Sequence, residues 1–77
     1  MQDRQIASAA QIAAIINESI QALVGWDTVS VHVLASQIDE HGCNWIAQYQ
    51  QPREASPSMC VLVIELIGNT KREFNLP

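Results

Sequence analysis

The stretch "SPSMCVLVIELIGNTKREFNLP", Ser56–Pro77, decides between two folds. Its centre, "CVLVIEL", is valine-rich and short enough to be a buried strand. Its beginning argues for a helix. Ser56 suits an N-cap, and Pro57 suits the first helical position, where its missing N–H would have had no helical partner anyway. Helical phase points the same way. Met59, Cys60, Val63, Ile64, Ile67 and Phe74 gather on one side, while Glu65, Asn69, Arg72 and Glu73 lie away from it. The reading is a helix over residues 57–74. Gly68 costs it roughly 1 kcal/mol relative to alanine and marks where a break is expected. The alternative makes residues 59–66 a strand.

Upstream, "QIASAAQIAAIINESIQALVG" repeats Ile12, Ile16, Ile20 and Leu23 at spacings of four and three, with Ala9 and Ala13 beside them. Ser8, Gln11, Asn17, Glu18 and Gln21 occupy the other face. The pattern predicts a helix over about residues 5–24, stopped by Gly25. "WDTVSVHVLAS" and "CNWIAQYQQ" alternate with period two and read as strands, the second ended by Pro52. Between them "QIDEHG" is a polar bend in which Gly42 accepts positive φ. The two runs therefore form an antiparallel hairpin.

The expected fold is α+β, two layers, in the order α-β-β-α with both helices on one face of the hairpin. The alternative is α-β-β-β. Val29, Val31 and Val33 with Trp45, Ala47 and Tyr49 are expected to face the helices. Trp26 is expected to anchor the first helix to the sheet. Ser30, His32, Leu34, Ile46 and Gln48 fall on the back. A lone two-stranded sheet is marginal and both its edges are open. Val61 and Leu62 also lie off the core face of the last helix. Leu34, Ile46, His32, Val61 and Leu62 are thus the candidate interface residues, and a homodimer through the hairpin is expected.

Composition narrows the function classes. Seventy-seven residues read as one small domain, residues 1–77. Hydrophobic residues make up 48% and charged ones only 16%, which argues against disorder and for apolar surface shared with a partner. The net charge is −4, and only Lys71 and Arg72 of the four cations are adjacent, so no phosphate-tracking stripe exists and nucleic acid is not an expected partner. A basic protein remains one. The longest apolar run, "MCVLVIELI", is too short to span a membrane and contains Glu65. Two cysteines and no secretory leader pattern point to a cytoplasmic protein with reduced thiols.

"DEHGCNW", Asp39–Trp45, carries most of the reactive side chains. A metal reading uses Asp39, His41 and Cys43, with His32 or Cys60, but the Asp-x-His-x-Cys spacing matches no recurring zinc pattern. A nucleophile reading activates Cys43 through His41 or His32, yet Asp39 and Glu40 nearby favour the neutral thiol. A polar turn accounts for the same residues more simply. Cys60 is expected as a buried, inert thiol. No metal or other cofactor, and no catalytic set, is expected.

The strand "NWIAQY" and the helix from Ser56 resemble the hairpin and following helix of small bacterial HicB-type antitoxins. That resemblance covers under half of the chain, and those folds open with a strand where a long helix comes first here. It implies an acidic regulatory partner for a basic protein. The leading expectation is a non-enzymatic interaction module, homodimeric. The acidic partner comes second, and a thiol or metal enzyme on Asp39, His41 and Cys43 third.

Overall fold

A computed structural model describes residues 4–26 and 29–77. Asp27 and Thr28, inside the expected first strand, lie outside the described residues. A helix, an antiparallel hairpin and a second helix follow one another. A pair of two-residue strands joins the two ends of the described chain.

The first strand, β1, is Gln5–Ile6, and the first helix, α1, is Ala9–Val24. The helix starts later than its alanine content suggested because Ser8 forms a capping box. The Ser8 hydroxyl accepts from the Gln11 N–H at 3.1 Å, and the Gln11 side-chain oxygen accepts from the Ser8 N–H at 2.9 Å. Gly25 ends α1 at φ 69°, donating to the Ile20 and Gln21 carbonyls.

The hairpin pairs β2, His32–Ala35, with β3, Trp45–Gln48. Both strands are shorter than the alternating runs that predict them. The second helix, α2, is Pro57–Glu73, capped by the Ser56 hydroxyl accepting from the Met59 N–H at 3.2 Å. It runs unbroken through Gly68, so the expected break is absent and so is the strand over 59–66. Lys71 and Arg72 sit in its last turn, complementing the negative end of the helix. The chain then extends into β4, Phe74–Asn75, which pairs in parallel with β1: Gln5 opposite Phe74 and Ile6 opposite Asn75.

Ile12, Ile16 and Ile20 of α1, Val63 of α2 and Val31, Val33 and Trp45 of the hairpin form one buried cluster with Trp26, Val29 and Cys43. Trp26 is part of this core, as an anchor between helix and sheet should be. Helix α1 packs against β2 and α2, while the main contacts of α2 are with α1 and β4.

Two apolar positions differ from the expected core. Ile64 is 61% exposed, because it stands 100° around α2 from the buried Val63; Leu66 and Thr70 fall on the core side in its place. Thr70 is buried with its hydroxyl donating to the Leu66 carbonyl at 2.9 Å. Leu23 is 65% exposed on the last turn of α1, where Trp26 closes the core instead.

Candidate interaction surface

The polar bend is a clasp. The Asp39 carboxylate accepts from the His41 N–H at 2.8 Å and the Cys43 N–H at 3.0 Å. The Asp39 N–H donates to the Cys43 carbonyl at 2.9 Å, and Gly42, at φ 88°, donates to the Asp39 carbonyl at 3.1 Å. The Cys43 N–H, then the His41 N–H, hold the Asp39 carboxyl below its ordinary range, with Lys71 adding to the effect. Cys43 is 1% exposed and its thiol donates to the Trp45 carbonyl. His41 is exposed, 3.6 Å from the Glu40 carboxylate.

Both ends of the described chain close onto this bend. The Arg4 Nε donates to the Lys71 carbonyl at 2.9 Å and its Nη2 to the His41 carbonyl at 2.7 Å. The Asn75 amide donates to the Gly42 carbonyl at 2.9 Å. Asn44 donates to the Leu76 carbonyl at 3.0 Å and accepts from the Leu76 N–H at 2.8 Å. The Trp45 indole donates to the Phe74 carbonyl at 2.9 Å, while the Lys71 ammonium sits 5.9 Å over the same ring. A cavity of about 440 Å³ lies beside the bend, lined by Arg4, Lys71 and Arg72 among others. Its cations are already engaged, Arg4 by two carbonyls, Lys71 by Trp45 and Arg72 by the Asn69 side chain.

Of the residues considered for metal or nucleophile chemistry, Asp39 and Cys43 are engaged within the turn, while His41 is exposed, His32 lies on β2 and Cys60 on α2. Asp39 spends its carboxylate on two backbone amides, and the Cys43 thiol is out of solvent. Among the described residues no three His, Cys, Asp or Glu side chains converge as metal ligands would. Cys60 is half-buried against the core.

The candidate interface residues lie on the outside. In the hairpin register Leu34 stands directly opposite Ile46 and His32 opposite Gln48. Leu34 is 43% and Ile46 45% exposed, while their neighbours Val33 and Trp45 are buried, so the faces alternate as far as Leu34; Ala35, at the end of β2, is exposed although it shares the face of Val33. A shallow cleft continues the His32 end past Ser30 toward Tyr49 and Pro52. Val61 and Leu62 are exposed on α2, apart from the hairpin. Ile38, just beyond β2, is also exposed.

Sequence reading did not find the two asparagines that finish the sheets. The Asn17 side chain accepts from the Val31 N–H at 2.9 Å and donates to the Val31 carbonyl at 3.3 Å, which closes one end of the β2 edge. Asn44 does the same for Leu76. Neither carries a local signal, because an asparagine on a polar helix face or beside a turn is ordinary. Comparison with family models, with curated proteins and with solved structures finds no match to this chain. The antitoxin resemblance therefore rests on "NWIAQY" and the helix from Ser56 alone.

Proposed function

We propose that this chain is a non-enzymatic protein-interaction module that works as a homodimer, joined through its hairpin. The observation that carries the reading is unpartnered apolar surface at a position where the register leaves no other use for it. Leu34 and Ile46 form one cross-strand pair, and both remain substantially exposed, at 43% and 45%. The engagement of Asp39 and Cys43 inside the clasp supports a binding role over a catalytic one. No helix among the described residues is long and apolar enough to cross a membrane.

The test is mass by light scattering at micromolar concentration. The wild type is expected at twice 8.5 kDa. Ile46→Lys places a charge on the back face without touching the buried cluster, and is expected to give a folded monomer. A monomeric wild type ends the reading. A dimer unmoved by the lysine moves the contact to another surface, with Val61 and Leu62 next in line.

A further inference from the structure

Helices α1 and α2 pack against each other and contribute Ile12, Ile16 and Val63 to one buried cluster, but they do not close along their whole facing surfaces. Beside the seam runs a groove of about 340 Å³, floored by Ile15, Leu23, Leu62 and Leu66 and flanked by Glu65 and Glu73. Ile15, Ser19 and Leu23 follow one another at i, i+4 and i+8, a stripe parallel to the core stripe of α1. Ile15 is 37%, Leu23 65% and Leu62 46% exposed. Among the described residues that line it, none is Lys or Arg.

The geometry points to a second interface in this groove, one that takes a basic amphipathic helix from a different protein. The inference rests on the interaction-module reading above and assigns that module a hetero-partner. Length fits a helix. From Ile15 to Leu23 the stripe spans about 12 Å along the axis, and anchors at i, i+3 or i+4, and i+7 of a docked helix span about 10 Å. Charge selects the partner. Two carboxylates border the apolar residues, and the cation at the groove's edge, Arg72, donates to the lining Asn69 at 2.8 Å and does not itself line the groove, so flanking Lys or Arg on the incoming helix meets Glu65 and Glu73. A second copy of this chain does not supply that helix. Helix α1 has no Lys or Arg, and those of α2 are Lys71 and Arg72, held at its last turn by Trp45 and Asn69. Docking two copies here sets carboxylate against carboxylate.

The experiment titrates the full isotope-labelled chain with a synthetic helical peptide carrying Leu at i, i+4 and i+7 and Lys on the flanks. Two controls are used, a scrambled peptide of the same composition and one with Glu for every Lys. The Lys peptide is expected to shift the amide resonances of Ile15, Ser19, Leu23, Leu62 and Glu65. It should bind at least tenfold more tightly than either control at about 0.05 M salt, with the gap to the Glu peptide narrowing at about 0.5 M as screening shortens. Leu62→Gln, at an exposed position that leaves the core intact, is expected to weaken binding about tenfold, and Glu65→Gln several-fold. Equal binding by the scrambled or Glu peptide overturns the proposal, as do shifts confined to the hairpin or a Leu62→Gln variant that binds as the wild type does. Light scattering separates this result from the homodimer. The Ile46→Lys protein is expected to bind the peptide undiminished, and a monomeric wild type that binds it leaves the groove standing. Loss of self-association in Leu62→Gln makes the groove the homodimer contact and overturns the hetero-partner.

Discussion

Asn44→Ala tests whether side-chain amides hold the sheets together. The Asn44 amide makes two hydrogen bonds, to the Leu76 carbonyl at 3.0 Å and from the Leu76 N–H at 2.8 Å, at a partly buried position. Each is worth about 1 kcal/mol net, and truncation leaves both backbone groups of Leu76 without their partner. The expected loss is about 2 kcal/mol, within a range of about 1–3. A chain of this length has a total stability of roughly 4–12 kcal/mol, so the fraction lost is large. For a domain of this size the shift in Tm is about 8–16 °C. Asn75→Ala is the control. It removes one bond, the Asn75 amide donating to the Gly42 carbonyl, and it also removes the Asn75 side-chain oxygen, which is buried without a partner among the described residues. The two effects oppose, and a loss below about 1 kcal/mol is expected.

Urea unfolding followed by circular dichroism at neutral pH reads both variants. Hydrogen exchange at the Ala7 amide, which donates to the Asn75 carbonyl at 3.0 Å, reports the β1–β4 pair directly. In Asn44→Ala that amide should exchange faster than in the wild type. The reasoning is refuted if Asn44→Ala costs less than about 0.5 kcal/mol with Ala7 protection intact, or if Asn75→Ala proves the more damaging of the two.

Gly68 lies inside α2 with nothing within 4 Å of where a Cβ would stand, and its φ is not positive. Gly68→Ala is therefore expected to raise stability by about 0.5–1 kcal/mol, read as a higher urea midpoint with an unchanged slope. Asp39 predicts a pH dependence. Its folded-state pKa is depressed, so its contribution is present above the unfolded value of about 3.9 and is lost as pH falls through the folded pKa. The Tm difference between wild type and Asp39→Asn should hold from about pH 7 to about pH 5 and shrink on further acidification; a difference that stays flat down to about pH 2 contradicts the assignment.

Period and phase made most of the fold legible. The four-residue repeat of Ile12, Ile16 and Ile20 and the alternation of Val29, Val31 and Val33 identify elements whose buried sides are those positions. Ser56 and Pro57 resolved α2 correctly because capping chemistry is local. What escaped was non-local or too short to have a period. Strands β1 and β4 have two residues each, and their pairing joins positions 69 apart in the chain at Gln5 and Phe74. Phe74 sits in phase with the face of α2, so phase alone extended the helix over a residue that has already turned extended, at φ −132°. Ile64 was misplaced because "VLVIELI" has more apolar residues than one helix face can bury, and composition does not say which are surplus. Leu34, Ile46, Val61 and Leu62 were legible as surplus from alternation and phase. The groove was not, because Ile15 and Leu23 of α1 meet Leu62 of α2 only once the helices cross.

The clasp follows from how short the strands are. A chain this short builds strands of four and two residues, which leave backbone N–H and C=O groups without a neighbouring strand. An asparagine side chain carries the same donor and acceptor as a peptide unit, so Asn17 at Val31 and Asn44 at Leu76 each act as a strand one residue long. Arg4, Asp39 and Asn75 satisfy further backbone groups around the bend. These side chains take the place of missing strand neighbours, and the helices and hairpin still leave some apolar side chains outside. The back of the hairpin and the groove between the helices are two of the places where apolar side chains remain exposed, and they are the two surfaces for which partners are proposed. The two proposed partners differ because the surroundings differ. At the hairpin the exposed pair is flanked by Gln48 and His32. At the groove Glu65 and Glu73 stand beside the leucines, which disfavours a second copy there. The proposed self-association at one surface and the proposed recruitment of a basic helix at the other are therefore compatible in a single molecule.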